Sequence, residues 1–436
     1  MKNSVAAGLI FVFIIFQHFQ FASVGSYPLT IGFFAGFAAI LLVTTRVTWI
    51  PLSVVWSGII AVAGLSALLN PAETDARQFV QTLLLVLLAS AIVLAGFFDR
   101  AAEFARSPQF ARALFCALIL VVTLSVAQVV VGTLGSVALF NPFGSHQYLY
   151  QYRPHLEFSP IPRAQGFYLE PSYAAFVIGT TTVALVALKK FLIASASLCF
   201  VGLLACQSAT GLFIFTAIAL VTALRSGARI RFIAGVLAVG IVLLAGPSLL
   251  ERITTVGESS SSANYRLVAP LQVIGDLLSS GPFGYPLGSI STVMSSYSLQ
   301  NGTQTGSSLD NGFYVLVFYF GWPGLIAVFI WILATIRYTV LFSKQGKGLA
   351  WLVPSWLLAC MFFSGGIVLP EFAISLWLAI SCMTETKPLI GKANARFPPV
   401  AGSVAHYRDR HGERPGRPVE HSRVAPAAQG GSDEFN

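Results

Sequence analysis

The run Ala113-Leu-Phe-Cys-Ala-Leu-Ile-Leu-Val-Val-Thr-Leu-Ser-Val-Ala-Gln-Val-Val-Val-Gly132 decides the fold class of this chain. It contains no Asp, Glu, Lys or Arg, and a helix of this length spans about 30 Å, the thickness of the hydrocarbon core of a bilayer. Apolar stretches of similar length recur along most of the sequence, in which 56% of residues are hydrophobic and the mean hydropathy is +0.76. Soluble domains are far less apolar. The sequence therefore predicts an all-α polytopic membrane protein.

About twelve such stretches are predicted to span the membrane. They lie near residues 4–23, 28–45, 51–69, 78–98, 112–132, 170–188, 191–207, 210–224, 232–249, 312–336, 349–368 and 371–384. The first stretch is interpreted as an uncleaved helix and not as a signal peptide, because so many spans follow it. The spans between 191 and 224 are short, and they leave open a layout that differs by one hairpin.

The basic residues predict the orientation of these spans. If the N-terminus is cytoplasmic, most of the 26 Lys and Arg residues fall in cytoplasmic loops or in the C-terminal tail, as the positive-inside rule requires. The outer loops then hold only Arg77, Arg153, Arg163, Arg252 and Arg266. Both termini are therefore predicted to be cytoplasmic. The net charge of +9 follows from this topology and does not indicate nucleic-acid binding.

The spans define a membrane domain over residues 1–384, with two large loops on the outer side. These loops cover about 133–169 and 250–311, and loops of such length in a compact protein are usually functional or disordered. Residues 264–280 carry apolar side chains at helical spacing, which predicts a helix along the membrane surface. Residues 385–436 are polar and basic, and they are predicted to form a disordered cytoplasmic tail.

The sequence contains no pattern typical of a metal or nucleotide site. Its five cysteines lie in or beside apolar segments without a CxxC motif, so they are interpreted as small buried hydrophobic residues. No residues have metal-ligand spacing, and no phosphate-binding Gly-rich loop of the Walker type is present. We therefore expect neither a metal nor a cofactor.

A second stretch, Arg163-Ala-Gln-Gly-Phe-Tyr-Leu-Glu-Pro-Ser-Tyr173, places an arginine and Glu170 seven positions apart at a predicted membrane edge. Charged residues are costly near the hydrocarbon core, and they are usually kept for function or reach out to the headgroups. Arginines can bind a diphosphate through bidentate contacts, and a carboxylate can accept a proton from an attacking hydroxyl. The combination predicts group transfer from a lipid-linked diphosphate donor.

Several segments, in this order, resemble the superfamily of O-antigen ligases and Wzy-type polysaccharide polymerases. They are the Arg163–Ser172 stretch, the turn at 207–211, Asn264-Tyr265-Arg266, the glycines at 281, 284 and 288, Asp310-Asn311-Gly-Phe-Tyr314, and Gly321-Trp-Pro-Gly-Leu325. Ligases commonly carry His-Asn where this chain has Asp310-Asn311. That departure weakens the ligase interpretation.

The resemblance implies a GT-C-like membrane glycosyltransferase in the bacterial inner membrane. Such an enzyme would join oligosaccharide repeat units into an exopolysaccharide or O-antigen by metal-independent, inverting transfer at the periplasmic face. The donor and the acceptor would both be glycans linked to undecaprenyl diphosphate. A chain-length regulator and the export machinery are the further partners that it implies. The alternatives are an O-antigen ligase of the same superfamily and, from another class, a flippase or transporter of the lipid-linked glycan.

The candidate site residues follow from the outer charges and from the resemblance. Asp310 and Glu170 are the predicted catalytic carboxylates. The predicted diphosphate-binding or glycan-binding residues are Arg163, Arg266, Arg153, Arg252, Tyr173 and Tyr265.

Structural alternatives stay open for several of these residues. Asp310 could cap the helix that follows it, Glu170 could stabilise a helix start before Pro171, and Arg163 could reach the headgroups. Glu371, at the start of the last span, is interpreted as a helix-start carboxylate alone.

Overall fold

A computed structural model of the chain describes most of the membrane domain. The described residues are 1–24, 27–44, 49–97, 99–135, 147–149, 162–208, 262–301, 304–306, 308–344 and 370–386, with positions 232, 235, 236, 239 and 361. The chain divides into the units Met1–Lys387 and Pro388–Asn436, and all described residues lie in the first. Of the predicted tail, 385–436, the first two residues belong to the helix Pro370–Thr386, so the predicted boundary is two residues early. The tail from residue 387 onward lies outside the described residues. So do the predicted spans at 210–224, 232–249 and 349–368, apart from the single positions given above.

Helices dominate the described part of the chain. In order they are α1 (Lys2–Ile15), α2 (Ile31–Val43), α3 (Trp49–Leu69), α4 (Ala76–Ala95), α5 (Asp99–Arg106), α6 (Pro108–Thr133), α7 (Pro171–Ala187), α8 (Leu192–Cys206), α9 (Ser262–Leu267), α10 (Ala269–Ser280), α11 (Ile290–Ser296), α12 (Gly312–Lys344) and α13 (Pro370–Thr386). Two antiparallel strand pairs complete the set: β1 (Gln20–Val24) with β2 (Tyr27–Thr30), and β3 (Gln300–Asn301) with β4 (Gln304–Thr305).

Four of the described helices are long and apolar enough to cross a membrane. They are α3, α4, α6 and α12, and the shorter apolar helices are α1, α2, α7, α8 and α13. All of them coincide with predicted spans, which confirms a polytopic, mainly helical membrane protein. The total of about twelve spans and the GT-C-like arrangement remain predictions.

The first predicted span, 4–23, is wrong at its C-terminal end. Helix α1 ends at Ile15, and the chain then forms β1, which pairs with β2. The backbone N–H of Gly32 donates to the carbonyl of Phe16 at 2.9 Å, so the start of α2 packs directly on the end of α1. A Cβ on Gly32 would lie 2.8 Å from the backbone of Gln17, so this contact needs glycine. Hydropathy could not find this hairpin, because apolar residues suit a strand as well as a helix.

The predicted helix over 264–280 is confirmed, although it breaks at Val268 into α9 and α10. Its place along the membrane surface remains a prediction. Val273, Ile274 and Leu277 are buried on this helix, whereas Leu271 is exposed. The indole N–H of Trp322 donates to the carbonyl of Leu278 at 3.3 Å. The segment that carries Arg266 is thereby attached to α12.

A kink in α12 receives the glycine-rich turn that follows α10. Gly321 has φ 59° and ψ −134° within the helix, a conformation that glycine adopts without strain. A Cβ at this position would lie 2.6 Å from the backbone of Pro282 and Phe283. The backbone N–H of Trp322 donates to the carbonyl of Pro282 at 3.0 Å. The turn and the helix therefore fit together only because the helix has Gly321 and the turn has Gly284 at this contact.

The apolar helices pack against one another. Helix α1 packs against α2 and α6, α6 packs against α7 and α8, and α13 packs against α2, α4, α5 and α7. Helix α5 is an element that the sequence did not predict. It is anchored by Phe104, whose ring lies 4.9 Å from that of Phe110 and 6.3 Å from that of Trp377.

Candidate active site at four helix starts

Four helices begin at one place. Thr30 caps α2, Glu170 occupies the cap position of α7, Asn311 caps α12, and Glu371 lies in the first turn of α13. The Thr30 hydroxyl donates to Oε1 of Glu371 at 2.8 Å, which joins the starts of α2 and α13. Each helix N-terminus acts as about half a positive charge. The convergence therefore suits a region where negative charge is held or develops.

Tyr173, in the first turn of α7, lies at the centre of this region. Its hydroxyl is close enough to four charged side chains to interact electrostatically with each: Glu170, Asp310, Glu371 and Arg266. No hydrogen bond reaches this hydroxyl from the described residues. We refer to Tyr173 and these four residues as the acidic cluster. It unites predicted site residues from the Arg163–Tyr173 stretch and from the second predicted loop with Glu371, which the sequence did not assign to the site.

Glu170 is positioned by the start of α7. Pro171 occupies the first helical position, as predicted, and the Glu170 carbonyl accepts from the N–H of Tyr173 at 3.1 Å. The side chain does not cap the helix; its Oε2 accepts from the Ser172 hydroxyl at 3.0 Å. The helix-start interpretation is confirmed for the backbone, while the carboxylate lies partly buried in the acidic cluster.

Arg266 and Asp310 form an ion pair, with 3.1 Å between Nε and Oδ2. Their side chains are 31% and 32% exposed, so the pair remains open to a ligand. Asp310 also accepts from the Ser308 hydroxyl at 3.1 Å through Oδ1. The suggestion that Asp310 caps α12 is wrong, because Oδ1 of Asn311 accepts from the N–H of Phe313 at 3.0 Å. Two adjacent residues suit the cap equally well, and Asn311 takes it.

Tyr265 lies behind the ion pair. It is only 1% exposed, and its hydroxyl accepts from the N–H of Ser308 at 3.0 Å and also donates to the carbonyl of Ser308. Its ring packs so closely on Gly306 that no Cβ fits there. Tyr314 adds a hydrogen bond from its hydroxyl to the carbonyl of Leu267 at 2.8 Å. The position of Tyr265 favours support of the segment that carries Asp310 over direct contact with a glycan.

Arg163 lies at the other end of the Arg163–Tyr173 stretch, within electrostatic reach of Cys206 at the end of α8. The neighbouring Ala164 N–H donates to the carbonyl of Ala205 at 3.0 Å. In α6, Oε1 of Gln128 accepts from the N–H groups of Gln165 at 3.1 Å and Gly166 at 2.7 Å. These bonds fix the backbone around Arg163, whose side chain is partly buried.

His18, which follows α1, contacts the Arg163–Tyr173 stretch at two points. Its Nδ1 accepts from the N–H of Leu169 at 3.0 Å, which makes the other ring nitrogen the protonated one if the imidazole is neutral. The ring meets that of Tyr173 edge-on, with centroids 4.5 Å apart. His18 therefore fixes the orientation of Tyr173. Nothing in the local sequence indicated this contact.

Two predicted arginines, Arg153 and Arg252, lie outside the described residues. Within the described part of the chain, no group of three or more His, Cys, Asp or Glu side chains is arranged to hold a metal ion. Glu371 is the site residue that sequence reasoning missed. One pattern in the sequence could have indicated it. Glu371 follows a proline at the start of a predicted span, and this start lies on the same predicted side of the membrane as Glu170 and Pro171.

Comparison with known proteins identifies relatives of this chain. A sequence model of the family described as "WcaD colanic acid polymerase" matches residues 6–384. A curated protein of Escherichia coli (strain K12), named "Putative colanic acid polymerase", is 31% identical over 136 residues, which are 30% of this chain and 33% of the relative. That alignment therefore spans about a third of the relative's length. No solved structure matches. The resemblance to Wzy-type polysaccharide polymerases is confirmed.

Proposed function

This chain belongs to the WcaD colanic acid polymerase family, and we propose that it polymerises lipid-linked oligosaccharide repeat units at the periplasmic face of the bacterial inner membrane. Family membership supports a membrane-bound polysaccharide polymerase of the glycosyltransferase kind. One observation supports polymerisation of lipid-linked repeat units in particular. A guanidinium and three carboxylates gather where four helices of a membrane protein begin. Undecaprenyl diphosphate is the proposed carrier of both glycans.

Arg266 and the helix starts provide the positive potential for the donor diphosphate. Backbone N–H groups at helix starts bind phosphate oxygens, and a guanidinium binds them with charge-assisted hydrogen bonds. The negative charge on the diphosphate increases as its bond to the sugar breaks, so these groups stabilise the transition state more than the ground state. Arg163 is the proposed second arginine. A guanidinium can fill this role without a metal ion.

The carboxylates provide the acid–base chemistry. A sugar hydroxyl of the acceptor repeat attacks the anomeric carbon of the donor on the face opposite the diphosphate, and the configuration inverts. The hydroxyl proton passes to a carboxylate while undecaprenyl diphosphate departs with the bonding electron pair. Asp310 and Glu170 are the predicted acceptors of this proton, and Tyr173 offers a hydroxyl that can hydrogen-bond a sugar.

The periplasmic placement rests on the basic residues. In the predicted topology, the starts of the spans at 28–45, 170–188, 312–336 and 371–384 are all outer ends. The packing of α13 against α2 and α7, and the contact between Thr30 and Glu371, agree with starts on one side of the membrane. A lipid-linked diphosphate is available on this side.

Reconstitution tests the proposal. The purified protein in lipid nanodiscs is given one undecaprenyl-diphosphate oligosaccharide repeat, and the products are separated by length. We expect a ladder of polymers from the wild type, and none from Arg266→Ala or Arg163→Ala at donor concentrations below KM. A wild-type protein that leaves the substrate at its original length, or both variants producing normal ladders, would contradict the proposal. A flippase would move the substrate between leaflets without lengthening it.

A further inference from the structure

The three carboxylates of the acidic cluster are not equally available as proton acceptors. Asp310 has both oxygens engaged, Oδ2 by Arg266 and Oδ1 by Ser308. Asp310 is therefore better suited to hold Arg266 in position than to act as a base.

Glu371 differs in how it is held. Its Oε1 accepts from the Thr30 hydroxyl at 2.8 Å, and Thr30 is itself fully buried and fixed, because its Oγ1 accepts from the N–H of Phe33 at 2.9 Å. One oxygen of Glu371 is thus fixed at the junction of α2 and α13. The carboxylate also interacts with its own backbone N–H. Within the described part of the chain, no other residue forms a hydrogen bond to Oε2.

The surroundings of Glu371 suit proton transfer. The Thr30 hydroxyl hydrogen-bonds to Glu371, and the hydroxyl of Tyr173 lies within electrostatic reach of it. The same Tyr173 hydroxyl is also within reach of Glu170, Asp310 and Arg266. The Tyr173 hydroxyl can hydrogen-bond the incoming sugar and align its reacting O–H. A rigidly held carboxylate beside such a group has the arrangement that general-base catalysis needs.

We propose that Glu371 is the general base that deprotonates the acceptor sugar hydroxyl. This inference rests on the proposed glycosyl transfer. The acceptor O–H bond breaks and its proton moves to Oε2 of Glu371. The acceptor oxygen forms a bond to the anomeric carbon, and the bond from that carbon to the diphosphate oxygen breaks with its electron pair. The carboxylic acid then releases the proton to water, which restores Glu371 for the next cycle.

Three substitutions test this role in the reconstituted assay. Glu371→Gln keeps an oxygen for Thr30 but cannot accept the proton, so kcat should fall by about 100-fold or more while the donor KM changes little. Glu371→Asp keeps a carboxylate, and it should be at least about tenfold more active than the Gln variant. The matched control is Glu103→Gln, an exposed carboxylate on α5, which should leave kcat unchanged.

Chemical rescue separates a base from a structural residue. Sodium formate, a small external carboxylate, should raise the kcat of Glu371→Ala by about tenfold or more, and it should not rescue Arg266→Ala. If Glu371→Gln retains wild-type kcat, or if a folded Glu371→Ala protein is not rescued by formate, the inference is overturned.

Monodisperse elution in detergent establishes that a variant is folded. Should the Gln and Ala variants misfold, a wild-type kcat in Thr30→Val, which releases Glu371 from its anchor, would also overturn it. Failure of the wild type itself to make polymer would overturn the proposed function instead.

Discussion

The two ends of the Arg163–Tyr173 stretch are held in different ways. At the Arg163 end, backbone bonds to Gln128 and Ala205 attach the chain to the neighbouring helices α6 and α8. At the Glu170 end, the acidic cluster is assembled from side chains that are distant in sequence and that meet only through folding. We infer that the first end presents a cation in a fixed position, which suits the invariable diphosphate, and that the second end serves the chemistry.

The largest effect is expected at the ion pair of the acidic cluster. Arg266→Ala removes the guanidinium that stabilises the departing diphosphate and leaves Asp310 without its partner. Turnover should fall by at least about 100-fold, as losses of transition-state stabilisation commonly do. Arg266→Lys keeps the charge but not the forked geometry, so it should be intermediate. Turnover within threefold of wild type in the Ala variant would remove Arg266 from the site.

A smaller and different effect is expected at the other end. Arg163→Ala removes a charge-assisted contact of about 1.5–3 kcal/mol, and each 1.4 kcal/mol changes affinity tenfold. The donor KM should rise roughly 10- to 100-fold, with a lesser change in kcat. Steady-state kinetics over a wide donor range would measure both constants. A fall in kcat at unchanged KM would contradict the division of roles between the two ends.

The third prediction concerns Gln128, whose side chain holds the backbone next to Arg163. Gln128→Leu leaves the buried N–H groups of Gln165 and Gly166 without their acceptor, and each costs about 1–3 kcal/mol. The melting temperature of the purified protein should fall, and the donor KM should rise by less than in Arg163→Ala. Cys116→Ala, at an exposed position on the same helix, is the control and should change neither value. Unchanged stability in Gln128→Leu would show that this backbone attachment is dispensable.

The smallest effect on activity is expected at Tyr265. Tyr265→Phe keeps the buried ring and removes its hydrogen bonds to Ser308, so stability should fall by about 1–3 kcal/mol. Turnover should fall only a few-fold, because Asp310 is held less firmly. Thermal unfolding and polymerisation rates, measured on the same preparation, would separate the two effects. A loss as large as that of Arg266→Ala would mean that the Tyr265 hydroxyl acts on the substrate directly.

Local patterns in the sequence predicted much of this architecture. Continuous apolar runs identified the membrane helices, and Pro171 marked the start of α7 correctly. The end of α1 was not predicted, because the apolar residues of β1 suit a strand and a helix equally. The cap of α12 was not resolved either, since Asp310 and Asn311 both have side chains that cap helices.

The site was less predictable, because it depends on contacts across long sequence separations. Thr30 and Glu371 are 341 positions apart, and no periodicity or motif connects them. Glu371 alone resembled an ordinary acidic residue at a helix start, which is a common and favourable arrangement. By contrast, Arg266 and Asp310 were both predicted as site residues, because each belongs to a short motif of the family.

A structure of the protein bound to a non-cleavable phosphonate analogue of the lipid-linked donor would locate the donor site directly. We expect phosphonate oxygens within hydrogen-bonding distance of Arg266, at the starts of α7 and α12, and the anomeric carbon on the side that faces Glu371. An analogue bound at the opposite ends of these helices, or away from Arg266 and the acidic cluster, would contradict this expectation.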